Sequence, residues 1–415
     1  MSTLQTSKRL RSPPILGSGF LGMQTTIKYT IIVIVSLLST AIILSLVEGV
    51  LCAEDNSGSN SQGKDGQLQR LSDCEIIKQY QGLSSFAFNP RSVSREDSAC
   101  LSLKMFKEMG FVRFFSIPEE TLFRFILRAQ RGYRDLPYHN WHHAFAVLHF
   151  SFAVLTNCRL IEKQHFTPLE GLALLTAALC HDIDHRGTNN QFQLETNSTL
   201  AQRYRDQGSI MERHHIAITF SLLENSDTNF LAHFDGHKLN HFKHLIRQII
   251  LATDLAVHFK LLPEEKQMAE AGFDRFNSRH KELLRSVIIS CADLSDQSKD
   301  WATVRAVAKL VYTEFFAQGD QEKRLGQKPI TMMDRSQAKL PQLQVDFLSH
   351  VVIPDFLVLL SIYPETQGCM DNMQQNLVKW KKATPYFESQ TLLGRDQLDI
   401  LSDKELNNIS LWPQM

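Results

Sequence analysis

Side chains that commonly bind divalent metal ions occur at three places along this chain. The stretch 139–143 contains three histidines, the stretch 181–185 contains two histidines and two aspartates, and Asp293 stands alone. Two imidazoles and two carboxylates brought together by folding suit a pair of metal ions. Two such ions activate a bound water for attack on phosphorus. These residue types therefore predict a two-metal phosphoesterase.

The candidate ligands occur where helices would present them together. His139 and His143 are four residues apart, so on a helix they lie on one face. His181 and Asp182 follow one apolar run, and Asp293 follows another. Ionisable side chains at the ends of apolar helices are costly to bury unless a cation compensates their charge. We therefore expect the fold to gather these residues around metal.

The body of the chain is patterned as helices. From residue 101 to about residue 382 the apolar residues recur at helical spacing, and no run alternates with the period of two of a half-buried strand. This pattern predicts an all-α fold, a compact multi-helix domain. The sequence has no P-loop, no Rossmann glycine motif and no G-x-S-x-G elbow, which disfavours those nucleotide-binding and hydrolase classes.

The composition argues against a polyanionic partner. The 415 residues include 44 basic and 44 acidic side chains, so the formal net charge is zero. Without a basic field, no nucleic acid partner is expected. The seven cysteines form no C-x-x-C pair, so we expect reduced thiols of an intracellular domain and not a zinc ribbon.

Six short motifs resemble, in order and spacing, those of one enzyme family. They are YHN at 138–140, HDIDHRGTNN at 181–190, ATD at 252–254, DLSD at 293–296, EFFAQGD at 314–320 and QVDF at 344–347. Together they are similar to the catalytic domain of the class I 3',5'-cyclic nucleotide phosphodiesterases. MERHH at 211–215 and TMMDR at 331–335 most resemble the cGMP-stimulated, dual-specificity type 2 members. The resemblance implies the helical HD-type fold over residues 75–385.

The resemblance also implies a metal centre with an adjacent acid. The residues that would hold a first ion, zinc, are His143, His181, Asp182 and Asp293. Asp182 would also bridge to a second ion, magnesium or manganese. His139 would be the general acid that protonates the O3' leaving group. The residues that would fix waters and ligands around the centre are His185, Asn190, Glu212, Thr253 and Asp254, with Glu212 orienting His139 or its neighbours.

A purine pocket is implied in the same way. Gln344 would hydrogen-bond the purine edge, while Phe347 stacks on one ring face and Val311 closes the other. Because a side-chain amide carries both a donor and an acceptor, one rotamer suits adenine and the flipped rotamer suits guanine. The other pocket residues would be Tyr138 beside the phosphate, with Leu255, His258, Phe315 and Met332 at the walls.

The expected function is hydrolysis of the 3'-phosphoester bond of cAMP, cGMP or both, giving 5'-AMP and 5'-GMP. One alternative is a different metal-dependent phosphohydrolase with histidine and aspartate ligands. Another is a non-catalytic, membrane-tethered sensor of cyclic nucleotides. Family members often form dimers, so the resemblance implies a homodimer.

The N-terminal part predicts a membrane anchor. Residues 29–47 carry no charge and are mostly Ile, Val and Leu, a run long enough to cross roughly 30 Å of hydrocarbon as a helix. We therefore divide this part into a basic and polar segment at 1–28, a transmembrane helix at 29–51 and a flexible linker at 52–74. A cleaved signal peptide is the alternative, but the polar leader and the apolar run are long for one.

Two arguments disagree about the side of the membrane on which the catalytic domain lies. Basic residues precede the apolar run and acidic residues follow it, so the positive-inside rule places the rest of the chain outside the cytosol. Cyclic nucleotide signalling and the expected free thiols favour the cytosol. We predict a single-pass protein with a cytosolic catalytic domain at 75–385 and a C-terminal tail at 386–415.

Overall fold

The computed structural model describes residues 80–411. No strand occurs among these residues, so the all-α prediction is confirmed for them. The helices are α1 (Arg95–Glu108), α2 (Phe111–Phe114), α3 (Glu119–Gly132), α4 (Trp141–Asn157), α5 (Pro168–Cys180), α6 (Asn190–Glu195), α7 (Thr199–Tyr204), α8 (Ile210–Glu224), α9 (Gly236–Leu251), α10 (Leu255–Ala271), α11 (Ser278–Asp293), α12 (Trp301–Arg324), α13 (Leu340–Phe347), α14 (Ile353–Ile362), α15 (Gln367–Leu392) and α16 (Gln397–Ile400). The segments predicted at 1–28, 29–51 and 52–74 lie outside the described residues.

Helices α4 and α5 form the centre of the body. Every residue of α5 from Glu170 to Cys180 is buried, and α4 buries Phe145, Phe150 and Phe152 among others. A helix that is apolar on all sides belongs in a core, and α4 packs against both α5 and α11. The candidate ligands at the ends of these helices are therefore carried by deeply packed elements.

Side-chain caps fix the starts of the helices that lead into the site. The Asn140 side chain accepts hydrogen bonds from the backbone N–H groups of His142 and His143 at the start of α4. Asp254 accepts one from Ala256 at the start of α10. Each cap satisfies N–H groups that have no partner inside the helix. Asn140 of the YHN motif thus fixes where α4 begins, between His139 and His143.

A continuous helical stretch joins α13 to α14 through a π-helical turn at Leu348–Val352. Pro354 follows that turn and cannot donate a backbone hydrogen bond, which accounts for the widened turn. By length and composition alone, Leu340–Ile362 is the one helix of residues 80–411 that could cross a membrane, and one third of it is buried in the body. It packs against α10, α11 and α15.

The segment predicted as a C-terminal tail is packed onto the body as far as residue 409. Helix α15 runs through residue 386 without interruption. Beyond it, Ile400, Leu406 and Ile409 are fully buried, and the Trp301 indole N–H donates to the Leu406 carbonyl at 2.8 Å. The apolar residues of this short segment are too few to show a helical period, so the sequence pattern did not reveal the packing.

The cysteines only partly follow the expectation of reduced thiols. The free and buried ones are Cys158, Cys180, Cys291 and Cys369. Cys100 is disulfide-bonded, so the expectation is wrong at that position. The seven cysteines form no motif from which a pairing could be predicted.

Candidate metal and nucleotide site

Three predicted ligands from different helices meet at one point. The Nε2 atoms of His143 and His181 are 3.2 Å apart, and Asp293 Oδ1 lies 2.9 Å from the first and 3.3 Å from the second. His143 lies in α4, His181 directly after α5, and Asp293 ends α11. The fold therefore brings together residues up to 150 positions apart, as the sequence predicts.

Asp182 completes this group and extends it. Its Oδ2 lies 3.3 Å from His181 Nε2 and 3.6 Å from His143 Nε2. Its other oxygen, Oδ1, lies 3.5 Å from His215 Nε2. Each carboxylate oxygen thus faces a different set of imidazoles, which is the arrangement of a carboxylate that bridges two cations.

The tautomers of the histidines leave lone pairs aimed at this point. His181 Nδ1–H donates to the Ala178 carbonyl at 2.9 Å, and His215 Nδ1–H donates to the Ile183 carbonyl at 2.6 Å. The Nε2 atom of each ring is then free to accept. A backbone carbonyl on the far nitrogen is the usual support of a metal-binding histidine.

The donor set fits a divalent cation. Zinc holds nitrogen and oxygen donors at about 2.0–2.1 Å, which places tetrahedral donors about 3.4 Å apart, and the separations here run from 2.9 to 3.6 Å. Burial disfavours a charged imidazole, yet Asp182 and Asp293 raise the pKa of His181 well above its ordinary value. The cluster thus attracts positive charge, which a metal ion supplies.

His139 lies next to the cluster and is held by Glu314 of α12. Its Nδ1 is 2.5 Å from Glu314 Oε1. The other oxygen, Oε2, accepts hydrogen bonds from the backbone N–H groups of Tyr138 and His139 at 3.0 and 3.1 Å. Burial lowers the pKa of His139, but the bond to Glu314 and nearby aspartates outweigh it and raise this pKa above its ordinary value. The ring is thus fixed by one carboxylate and keeps its proton more readily.

His185 lies against the same imidazole. The two rings stack with centroids 4.0 Å apart, and the backbone N–H of Gly187 donates to His185 Nδ1 at 3.0 Å. Burial and the neighbouring His139 lower the pKa of His185 well below its ordinary value. His185 is therefore the neutral member of the stacked pair.

The remaining outer residues form a connected group beside the cluster. Asn190 donates to Glu212 at 3.0 Å, and burial together with the charge of Asp254 raises the pKa of Glu212 to about 8. Asp254 accepts from the Ser209 hydroxyl at 2.7 Å. The Thr253 hydroxyl donates to a backbone carbonyl in its own turn. Glu212 therefore contacts Asn190, and Glu314 is the carboxylate that contacts His139.

Gln344 is buried in α13 with one end of its amide unpaired. Its Nε2 donates to the Tyr312 hydroxyl at 3.3 Å, while Oε1 has no partner among the described residues. A hydroxyl can donate or accept, so Tyr312 can pair with either end of the amide. Neither rotamer of Gln344 is therefore excluded by this neighbour.

The other predicted pocket residues differ in exposure. Leu255 is exposed, and His258 is fully buried and points into the body. The half-buried ones are Val311, Phe315, Met332 and Phe347. Tyr138 packs its ring 4.6 Å from the ring of His143. Apart from His258, these side chains remain accessible to a ligand.

The comparisons with known proteins agree with this geometry. A family model described as 3'5'-cyclic nucleotide phosphodiesterase matches residues 138–373, more than half of the chain. The chain belongs to the 3'5'-cyclic nucleotide phosphodiesterase family. The match contains every residue of the metal cluster and both Gln344 and Phe347.

Two curated phosphodiesterases share a third of their residues with this one over the aligned region. The cone cGMP-specific 3',5'-cyclic phosphodiesterase subunit alpha' of Mus musculus is 34% identical over 328 residues, which are 76% of this chain and 38% of that protein. The dual 3',5'-cyclic-AMP and -GMP phosphodiesterase 11A of Takifugu rubripes is 34% identical over 312 residues, 74% of this chain and 34% of that protein. This phosphodiesterase thus spans well under half the length of either relative.

Solved phosphodiesterase structures share the fold. The structure of LmjPDEB1 in complex with IBMX matches with a TM-score of 0.70 and 29% identity, over 79% of this chain and 98% of that one. The phosphodiesterase domain of the RhoPDE fusion protein from the choanoflagellate Salpingoeca rosetta matches with a TM-score of 0.69 and 27% identity, over 76% of this chain and 100% of that one. These matches establish the family and do not single out the type 2 members.

Three residues of the phosphodiesterase site were missed in the sequence. His215, Glu314 and Tyr312 contact Asp182, His139 and Gln344 respectively. Glu314 and His215 do fall inside motifs that carry the resemblance, EFFAQGD and MERHH. Nothing in the spacing assigns them a partner, because each contact joins separate helices that only the fold brings together.

Proposed function

We propose that this phosphodiesterase hydrolyses the 3'-phosphoester bond of cyclic nucleotides, cAMP and cGMP, to give the 5'-monophosphates. The observation that carries the proposal is the set of four imidazole and carboxylate donors, 2.9 to 3.6 Å apart, lying next to the His139–Glu314 pair. Such a set supports phosphoester hydrolysis with a nearby proton donor.

The residues that would hold the first ion, zinc, are His143, His181, Asp182 and Asp293, and Asp182 would also contribute to a second ion, magnesium or manganese. When bound, two such ions supply a hydroxide at neutral pH and offset charge on the phosphate. The protein's part is to fix the four donors on three buried helices. It also turns the lone pairs of the histidine Nε2 atoms inward.

His139 has the role of general acid in this proposal. Glu314 holds Nδ1–H, so the proton that leaves is the one on Nε2. That proton passes to O3' as the P–O3' bond breaks, which avoids an unstable alkoxide leaving group. Glu314 then stabilises the ring by keeping Nδ1 protonated. Asn190, Glu212, Thr253, Asp254 and His185 would order waters around the phosphate.

We propose dual specificity because, among the described residues, the amide oxygen of Gln344 is unpaired and its Nε2 is hydrogen-bonded only to the Tyr312 hydroxyl. Tyr312→Phe removes the one described partner of its Nε2, so we expect KM to rise for cAMP and cGMP by a similar factor of about five, the cost of roughly one hydrogen bond. Tyr363→Phe, at another buried tyrosine with a hydrogen-bonded hydroxyl, is the control. A change in the ratio of the two KM values would show that Tyr312 selects one rotamer.

The activity is tested with the purified full chain in detergent. We expect turnover of cAMP and cGMP in the presence of magnesium, and loss of turnover in Asp293→Ala. A protein that binds both nucleotides and leaves them intact would be the sensor. Hydrolysis of nucleotide monoesters in preference to cyclic nucleotides would indicate the alternative function, a different metal-dependent phosphohydrolase.

Membrane attachment through residues 29–51 and a cytosolic catalytic domain remain proposals. The cyclic nucleotide substrate supports the cytosol, whereas the flanking charges and the disulfide at Cys100 favour an oxidising compartment. Asn197 and Asn408 are exposed and lie in glycosylation sequons, so they report the side directly. An unglycosylated protein in cells supports the cytosolic domain, and a glycosidase-sensitive mass shift contradicts it. A homodimer is also proposed, and sedimentation velocity would test it.

A further inference from the structure

A second group of ligand-type side chains lies inside the body and shares no residue with the site above. His258 and Glu265 lie on α10, seven residues apart and so on one face, and Asp355 lies on α14. One donor atom from each lies within 4.8 Å of the others. All three residues are buried, with 1%, 0% and 0% of their surface exposed. We call these three residues the buried triad.

No polar side-chain atom of the buried triad makes a well-formed hydrogen bond to a described residue, although the Ser286 hydroxyl lies near Glu265 and the Cys291 thiol lies near Asp355. Both ring nitrogens of His258 and both oxygens of each carboxyl group are unpaired. The contact between His258 Nδ1 and Asp355 Oδ1 measures 3.9 Å, which is too long for a hydrogen bond. Each buried unpaired group costs about 1–3 kcal/mol, so six in one place indicate a site shaped for a ligand that takes up lone pairs.

No lysine or arginine of residues 80–411 forms an ion pair with Glu265 or Asp355, and the only imidazole near them is His258 of the triad itself. Arg279 acts on Glu265 from a distance, but its guanidinium is engaged at the surface by Glu264 and Glu282. Burial consequently raises the pKa of Glu265 to about 7, and burial with the charge of Glu265 raises the pKa of Asp355 well above its ordinary range. Two acidic groups in an apolar interior need either protons or a cation.

We propose that His258, Glu265 and Asp355 bind a divalent transition-metal ion of the zinc type, separate from the catalytic centre. One imidazole and two carboxylates suit zinc, whereas magnesium prefers oxygen donors and retained waters. Zinc places donors about 3.4 Å apart, so the 3.9 Å contact between His258 and Asp355 and the longer separations from Glu265, all within 4.8 Å, must shorten when the ion binds.

The thiol of Cys291 is the candidate for a fourth ligand. Cys291 is buried in α11 and lies next to Asp355. It is two residues from Asp293, and side chains at that spacing point to different sides of a helix. A metal at the buried triad would therefore join α10, α11 and α14. Its role would be structural, because the buried triad shares no residue with the catalytic cluster.

Metal content of the full chain tests this proposal directly. In a His143→Ala/Asp293→Ala background, which disables the catalytic cluster, we expect one zinc per chain by mass spectrometry after dialysis. Adding Asp355→Asn should remove it, while adding Glu264→Gln, at the exposed acid next to Glu265, should not. A background protein without zinc, or an Asp355→Asn protein that keeps it, overturns the proposal. Failure of the catalytic proposal alone would appear as wild-type protein that does not hydrolyse cyclic nucleotides, while the background protein still holds this zinc.

Cobalt supplies a readout that does not depend on an Asp355 variant folding. Cobalt bound to the same background protein should give the intense visible absorption of a tetrahedral site, and a thiolate charge-transfer band if Cys291 is a ligand. A weak octahedral spectrum would contradict the site. Chelation should lower the Tm of this protein and leave the Tm of Glu265→Gln unchanged. If instead the carboxyl groups are simply protonated, the chelator lowers neither Tm, and the proposal fails.

Discussion

At the scale of single residues, the orientation of His139 depends on one carboxylate. Glu314 contacts the imidazole through Oε1 and the backbone of residues 138 and 139 through Oε2. Burial raises the pKa of Glu314, but the contact with His139 outweighs it and lowers this pKa to about 2. Glu314 is therefore an anion at any working pH and supports the protonated imidazole electrostatically.

Glu314→Gln tests this pairing through the pH dependence of kcat. The proposed acid role requires protonated His139, and Glu314 raises the pKa of His139. Removing the negative charge lowers that pKa, so we expect the alkaline limb of the profile to move to lower pH and the maximum kcat to fall by about 10²-fold or more.

Glu322→Gln is the matched control, because Glu322 is a buried acid on the same helix that bonds Gln318 and not the site. Its profile should match the wild type. An alkaline limb that stays in place in Glu314→Gln would show that His139 is not the acid.

The chemistry of a residue could be predicted from the sequence where its type and its position at the end of an apolar helix are unusual together. His143, His181, Asp182 and Asp293 come together as expected, because metal-ligand residue types at the ends of apolar helices have few other uses. Glu314 and Tyr312 had no assigned partner, because an acid or a tyrosine on a helix face is equally suited to the surface or the core. His258 was placed at the pocket wall, and the structure turns it inward to Glu265 and Asp355.

At the scale of elements, α12 supports the pocket through a close approach of two backbones. Gly319 packs against the turn Thr331–Met333, where an added Cβ would lie 2.0 Å from the Met333 carbonyl oxygen. That oxygen is backbone, so it cannot rotate away. The turn also carries Met332, one of the pocket residues.

Gly319→Ala should therefore push this turn away from α12. We expect KM for cyclic nucleotides to rise several-fold with little change in kcat, and the free energy of unfolding to fall by about 1–3 kcal/mol. Gly368→Ala, in α15, meets no atom within 4 Å, so it should leave KM unchanged and raise the free energy of unfolding slightly, by about 0.4–1 kcal/mol. An unchanged KM in Gly319→Ala would mean that the turn does not shape the pocket.

The sequence pattern predicts where the helices lie, but it does not predict which helices pack against each other. The apolar period marks α5 and α11 clearly, since helices in a core must be apolar over most of their surface. The π-helical turn at Leu348–Val352 has no such signal, because it arises from the backbone hydrogen bond that Pro354 cannot make. The cap of α4 at Asn140 could have been read from the YHN motif.

At the scale of the whole molecule, the body extends beyond the boundary predicted at 385. Leu406 is fully buried, whereas Leu392, in the same predicted tail, is 89% exposed. Leu406→Ala should lower the free energy of unfolding by about 2–5 kcal/mol, because it leaves a cavity in the core. Leu392→Ala should leave it within about 0.5 kcal/mol. Equal effects in chemical denaturation would place the C-terminal segment outside the cooperative unit.

The proposed function requires that water attacks the phosphorus of a cyclic nucleotide. The decisive test is to incubate the full chain with cAMP in water enriched in oxygen-18 and to locate the heavy oxygen in the product. The proposed metal ligands and the His139 acid predict 5'-AMP with one heavy oxygen in its phosphate, and no product from Asp293→Asn. Release of 3'-AMP, heavy oxygen on the ribose, or full activity in Asp293→Asn would contradict the account.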